Sequence, residues 1–253
     1  LVPILESSKV LKGALGFSSQ LLNQEMARRG SIDGSYATID LSEASDRVSL
    51  QLVKSMLQNH EPFLTALLAC RSERADVPGF GVVPLAKFAS MGSAVCFPVE
   101  AMVFLTIVLS GISRQLSVSL PNASILKQLD RVRIYGDDII VPVEYVRSVL
   151  SELEAFGLRV NTGKTFWTGK FRESCGGDFY DGYRVNPVYL RRMLPTRLSD
   201  VSEMISCVSF RNQLYEAGLW KTAAYLDTLI GSLASFPIVS KTSPVLGRIS
   251  YLG

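Results

Sequence analysis

The sequence predicts an α+β fold in which an antiparallel sheet carries helices packed on one face. Three observations lead there. The stretch Arg131-Val-Arg-Ile-Tyr-Gly-Asp-Asp-Ile-Ile-Val-Pro-Val143 consists of two short β-branched runs joined by Gly136-Asp137, a two-residue combination that closes a β-hairpin. Tyr36–Leu41 reads as a strand that hands over, through the polar turn Ser42–Arg47, to a helix marked by Val48, Leu52, Val53, Met56 and Leu57. The whole order is strand, helix, helix, strand, long helix, hairpin, helix, strand, which suits one sheet with helices on a single face.

Taken in order, residues 1–35 contain a helix around Gln20–Arg29 that Gly30 is expected to stop. After the Tyr36 strand and its helix, Pro62–Arg71 forms a second helix, with proline tolerated in the first turn. Phe80–Phe88 is strand-like though interrupted by Pro84, and leads through Ser90-Met-Gly92 into a long apolar helix beginning near Phe97. Beyond the hairpin, Tyr145, Val146, Val149, Leu150, Leu153 and Phe156 trace a helix ending at Gly157, and Leu158–Val160 returns as a strand. Asn161-Thr-Gly163 then turns the chain into Lys164. Phe171–Arg191 holds aromatic-rich runs broken by Gly176-Gly177 and Asp181-Gly182, expected hairpins. Helices follow from Ser199-Asp200 and through Leu219–Leu233, and the last twenty residues are expected to be irregular.

Composition bounds the function classes. With 47% hydrophobic and 19% charged residues, the 253-residue chain is globular and can bury an apolar core in one large or two small domains. A net charge of +3 permits an anionic partner without demanding one. Four separated cysteines, without a C-x-x-C pair, and a single histidine, His60, argue against a zinc site and for a reducing compartment. Ala94–Ile112 is apolar, but Pro98 and Glu100 lie within it, so it reads as a buried core helix and no membrane span is expected. The chain opens on Leu1 and is expected to be an internal piece of a longer protein.

Asp137 and Asp138 are adjacent carboxylates on one tight turn, where like charges repel unless a cation neutralises them. Mg²⁺ suits such a site, because it takes oxygen ligands and keeps positions for waters and substrate phosphates. The alternative is plain turn chemistry, which also favours Gly and Asp. Asp40 stands near the end of the first strand, and in a compact sheet a strand end can meet the tip of a neighbouring hairpin. Three carboxylates would then gather around one or two metal ions, as in-line phosphoryl displacement requires.

Several of these stretches, in this order, resemble a family. Ala37-Thr-Ile-Asp40-Leu-Ser-Glu-Ala-Ser-Asp46, Ser90-Met-Gly92, Tyr135-Gly-Asp137-Asp138, Lys164-Thr-Phe and Phe171-Arg-Glu-Ser-Cys175-Gly look like the RNA-dependent RNA polymerases, or replicases, of leviviruses, the positive-strand RNA bacteriophages. The resemblance covers roughly Gln24 to Arg192. It implies a polymerase palm over 36–192, the end of a fingers region over 1–35 and the start of a thumb or helical region over 193–253.

It implies further that Asp40 and Asp137 are the principal ligands of two Mg²⁺ ions, replaceable by Mn²⁺, with Asp138 in support. Asp46 would sense the ribose 2′-hydroxyl of the incoming nucleotide, the group that distinguishes RNA from DNA; its other reading is a helix N-cap or first-turn carboxylate. Ser90 and Gly92 would contact template and nucleotide, or form an ordinary helix-entry turn. Glu100 stands where many related polymerases carry Asn. Lys164 would act near the leaving pyrophosphate, or be an exposed turn lysine. Arg172 would contact an RNA phosphate, or form a surface salt bridge.

The partners implied are RNA template and product, nucleoside triphosphates and bacterial host proteins as replicase subunits, in the cytoplasm of an infected bacterium. Two rivals share the pattern. A reverse transcriptase more often carries a residue larger than Gly before the Asp pair, so Gly136 and Asp46 favour RNA synthesis. A non-catalytic RNA-binding protein on a decayed palm is opposed by the presence of all three carboxylates.

Overall fold

From the N-terminus, the computed structural model, which describes residues 1–11, 13–119 and 123–251, begins with helices α1 (Val2–Ser7) and α2 (Leu21–Asp33). Gly30 does not end α2 as expected. The helix continues to Asp33 and is capped by Gly34 at φ 69°, whereas a Cβ on Gly30 would lie 2.9 Å from the Tyr36 carbonyl oxygen. Gly30 therefore serves close packing of the helix on the next strand.

That strand is β1 (Tyr36–Ile39), followed by β2 (Leu41–Ser42), α3 (Ala44–Arg47) and α4 (Leu50–Leu57). Ser49 caps α4, its Oγ accepting from the Leu52 N–H at 3.0 Å. Helix α5 (Glu61–Ala69) carries Pro62 in its first turn. Next come β3 (Arg74–Val77) and β4 (Gly81–Pro84), an antiparallel hairpin in which Pro84 closes the ladder opposite Arg74. The expected strand over Phe80–Phe88 is thus shorter, and its partner β3 escaped the sequence because two of its four residues are charged and the strand is half-exposed.

Helix α6 (Cys96–Leu116) is followed by α7 (Ala123–Leu126), the hairpin β5 (Arg133–Tyr135) and β6 (Asp138–Pro142), and α8 (Val146–Ala155), after which Gly157 takes φ 82°. Among the described residues α6 alone is long and apolar enough to cross a membrane, and it is a core helix, with 67% of its most apolar window buried. Against it lies α8, close enough that a Cβ on Gly111 would meet Val149 Cα at 2.9 Å. Ser110 Oγ donates to the buried Glu152 carboxylate at 2.8 Å, and Arg114 pairs with the same group at 3.0 Å. Strand β7 (Arg159–Val160) pairs with β2. Strands β8 (Phe171–Ser174), β9 (Gly177–Tyr180) and β10 (Tyr183–Arg184) form a meander. Its first turn is Cys175-Gly176, both at positive φ, one residue earlier than the Gly176-Gly177 break suggested.

The central sheet has the order β1-β6-β5, all antiparallel, with Ile39 opposite Ile139 and Tyr135 opposite Asp138. Ala37, Ile39, Ile139 and Val141 join the main core with Val99, Val103, Phe104, Val149 and Leu153 of α6 and α8. Tyr36 and Ile140 pack instead with Ala27 of α2 and Phe179 of β9. Protein therefore covers both faces, and the expected helices on one face are corrected to helices on two. The run Ile139-Ile-Val141 explains this, since a strand buried on both faces is apolar throughout instead of alternating.

Contacts divide the chain into Leu1–Asn186, described so far, and Pro187–Gly253. The second unit pairs α9 (Val201–Glu216) with α10 (Trp220–Leu233) around Cys207, Val208, Leu214, Ala223, Leu226 and Ile230. Arg211 makes two 2.8 Å bonds to Asp227 across this pair. In the expected irregular tail, β11 (Ile238–Val239) and β12 (Arg248–Ile249) form a short parallel pair.

Candidate active site

The site grows out of strand register. Ile39 pairs with Ile139, so the next residue of the chain, Asp40, leaves β1 opposite Asp138. Asp137 is the second residue of the two-residue turn between Tyr135 and Asp138. Gly136, the first, takes φ 60°, and a Cβ there would meet the ring of Phe97 at 2.4 Å. One sheet end thus carries all three aspartates, although nearly a hundred residues of chain separate the first from the other two.

Two of them are held by their neighbours. Asp40 Oδ2 accepts from Asn161 Nδ2 at 2.8 Å, while its backbone N–H donates to Thr165 Oγ1 at 3.3 Å. Asp138 Oδ1 accepts from Ser174 Oγ and the Cys175 N–H, each at 3.0 Å. Sequence reasoning missed Asn161, Thr165 and Ser174, because which loops flank a strand end is not a local property.

The electrostatics mark the same spot. Asp137 is at the exposed turn tip, yet its carboxyl is pushed up, first by desolvation against the surrounding protein and then by the charges of Asp138 and Asp40, with Lys164 opposing. Glu173, to which the sequence assigned no role, is raised by burial and by Asp178, Asp138 and Asp40, again with Lys164 opposing. Lys164 itself is exposed in the turn after β7, its N–H bonded to the Asn161 carbonyl at 3.0 Å. Glu100 is 8% exposed and pushed up to about 7, by burial first and then by Asp137; the Cys96 Sγ donates to it at 3.9 Å.

Beside these carboxylates lies a cavity of about 590 Å³, lined by Asp46, Gly92, Ser93, Cys96, Glu100 and Asp137 among others. That is a small-molecule-sized volume with few, convergent polar groups. Asp46 lies in the first turn of α3 and pairs with Lys87 Nζ at 2.6 Å. Ser90 accepts the Ser93 N–H at 3.0 Å, closing the turn that presents Gly92 at φ 94°; Ser90 is not part of the cavity wall.

Arg172 stands apart from this site and requires correction. It is fully buried, its Nε donating to the Tyr36 carbonyl at 2.6 Å and its Nη1 to the carbonyls of Thr168, Gly169 and Phe171. Burial pushes its guanidinium down. It is neither a surface ion pair nor a phosphate contact but a tie between β8 and β1, and the sequence showed only its charge.

The donor chemistry fits a hard divalent cation, with oxygen ligands alone and repelling carboxylates to neutralise. Asp40 Oδ1 and Asp138 Oδ2 accept no hydrogen bond among the described residues. No three acidic, histidine or cysteine side chains among the described residues form a ready-made cage. An ion here would keep positions for water or substrate oxygens, as Mg²⁺ commonly does.

The chain is thus an α+β protein with an acidic sheet end opening on a small-molecule-sized cavity that carries a few convergent polar groups. Residues 9–225 match the family RNA replicase, beta-chain, and the chain belongs to that family. It is 40% identical over 179 residues to the RNA-directed RNA polymerase beta chain of Escherichia phage MS2, covering 70% of this chain and 30% of that protein. It is 39% identical over 197 residues to the beta chain of Enterobacteria phage GA, covering 78% and 34%. To the RNA-directed RNA polymerase subunit beta of Qbeta virus (strain MX1) it is 33% identical over 215 residues, covering 83% and 33%. The chain therefore spans about a third of the length of these relatives. The leviviral resemblance carried by the motifs is borne out at the level of the family.

Proposed function

We propose that this chain is the palm-bearing part of a leviviral replicase and that its sheet-end site carries out template-directed RNA synthesis. The observation that carries the reading is the register that sets Asp40 across from Asp138 beside Asp137, at the mouth of a cavity lined by Asp46 and Glu100. In the reaction an RNA 3′-hydroxyl oxygen forms a bond to the α-phosphorus of a nucleoside triphosphate as its proton passes to water, and the bond to the bridging oxygen breaks as pyrophosphate leaves. Asp40, Asp137 and Asp138 would hold two Mg²⁺, or Mn²⁺ in their place, which when bound neutralise charge on the attacking and leaving oxygens.

The chain's own residues do the rest. Asn161 orients the Asp40 carboxylate, and Ser174 with the Cys175 N–H orients that of Asp138. Lys164, whose charge already reaches Asp137 and Glu173, supplies a cation and a proton to the departing pyrophosphate. Asp46, held by Lys87, meets the ribose 2′-hydroxyl, and the Ser90–Gly92 turn flanks template and nucleotide. Residues 1–35 read as the end of the fingers, 36–192 as the palm and 193–253 as the start of the thumb. Host proteins would complete the replicase in the bacterial cytoplasm.

The decisive experiment is Asp137→Asn in the complete replicase. Nucleotide incorporation should vanish while the circular dichroism of the fold persists; incorporation at the unmodified level would end the assignment. Comparing ribo- with deoxyribonucleotide incorporation separates it from a reverse transcriptase.

A further inference from the structure

The correction of Arg172 leaves the RNA phosphates without the basic contact first expected for them, and the charge distribution points elsewhere. Seven of the 26 Lys and Arg and four of the 23 Asp and Glu lie in residues 187–253, so the entire net charge of +3 belongs to the second unit. Within that unit an open groove of about 260 Å³ runs between the segment at residues 189–192 and one face of α9. Its walls are Tyr189, Arg191 and Arg192 on one side and Ser202, Ser206 and Ser209 on the other, with Ile205 and Gln213 completing it. Among the described residues, no carboxylate lines it.

The cations are available. Arg191 is exposed and has no hydrogen-bond or ion-pair partner among the described residues, and Arg192 makes only a loose contact with Glu203 at 3.5 Å, both side chains being partly exposed. An ion pair of that kind contributes little and is readily exchanged for a phosphate. Tyr189 is 64% exposed, an aromatic face lining the same groove as the two guanidiniums. Guanidiniums for phosphates, hydroxyls for sugar and phosphate oxygens, and one aromatic face for a base are the parts with which proteins hold single-stranded nucleic acid.

We propose that this groove is a second RNA-binding surface, holding a single-stranded stretch by two consecutive phosphates on Arg191 and Arg192 and by a base stacked on Tyr189. The proposal rests on the polymerase reading for the identity of the nucleic acid, and it places RNA contact outside the unit that bears the aspartates.

The test is fluorescence anisotropy of the whole 253-residue chain with a short labelled oligouridylate, repeated over a range of salt. Arg191→Gln with Arg192→Gln should weaken binding and reduce the slope of log K against log salt by about 1.4, the share of two phosphates on a single strand. Tyr189→Ala should weaken it roughly ten-fold, and Tyr189→Phe should restore it. All these positions are exposed, so the fold should survive. Unchanged affinity and slope in all the groove variants would overturn the proposal. Asp137→Asn separates the two readings: if it abolishes incorporation while the groove variants bind like the parent, the groove alone fails; if it leaves incorporation intact, the polymerase reading fails.

Discussion

The ring of Phe97, in the first turn of α6, lies against Gly136 so closely that a Cβ at that position would come within 2.4 Å of it. Phe97 is also edge-to-face with Tyr135 at 5.4 Å and with Phe17 at 5.6 Å, so it cannot easily give way. The turn that aims Asp137 is thereby pressed onto the helix whose next turn carries Glu100.

Gly136→Ala should then be costly in two ways, through φ 60° and through the clash. We expect a loss of about 2–3 kcal/mol in urea unfolding, and loss of incorporation in the replicase. Gly176→Ala is the control: its φ is 69° but its Cβ would meet nothing within 4 Å, so only the conformational cost of about 1 kcal/mol remains. Equal losses in the two variants would show that Phe97 does not constrain the turn.

Glu100 predicts an unusual pH dependence. Its carboxyl titrates at about 7 in the folded chain against an ordinary 4.5. Between those values the unfolded chain releases the proton and the folded chain keeps it. The stability tied to this group is therefore complete below pH about 4.5 and is lost as pH rises through about 7, a change of at most roughly 3 kcal/mol. In metal-free buffer, Glu100→Gln should flatten the pH profile of urea unfolding over this window and be the more stable protein above it. A parent profile that rises across the same window would contradict the assignment.

Arg172→Ala should behave as a core mutation. It strips the carbonyls of Tyr36, Thr168, Gly169 and Phe171 of their donor, and removal of such a buried cation costs about 3 kcal/mol. The midpoint of chemical unfolding should drop accordingly. A variant of parental stability with weakened RNA binding would return Arg172 to an RNA phosphate.

Metal affinity should follow the sheet end. Titrating Mn²⁺ by electron paramagnetic resonance, Asp40→Asn and Asp137→Asn should each weaken binding about ten-fold or more, or about 1.4 kcal/mol. Glu25→Gln, which breaks an exposed pair with Arg28 at 2.7 Å on α2, should not. Identical binding in all three would remove the carboxylates from any metal site.

Much of this protein was readable residue by residue wherever a local rule decides. Gly136-Asp137 closes a hairpin because its backbone suits a two-residue turn, and the helix from Val146 shows its spacing of apolar residues whatever surrounds it. The motif aspartates and Lys164 were likewise visible as residue types in order. By contrast, Gly30 has the look of a helix stop, and only the approach of Tyr36 shows it to be a packing position.

What the tertiary structure alone decided is which groups share a neighbourhood. The sequence by itself determined the α+β class, the turn that presents Asp137 and the family to which the chain belongs, because short-range geometry and motif order are written along the chain. The pairing of Ile39 with Ile139, the burial of Arg172 and Glu100, the presence of Glu173 beside the aspartates and the covering of both sheet faces came only from folding. Burial and charge coupling depend on distance in space, and residues remote in sequence acquire such distances only when strands pair and helices close over them.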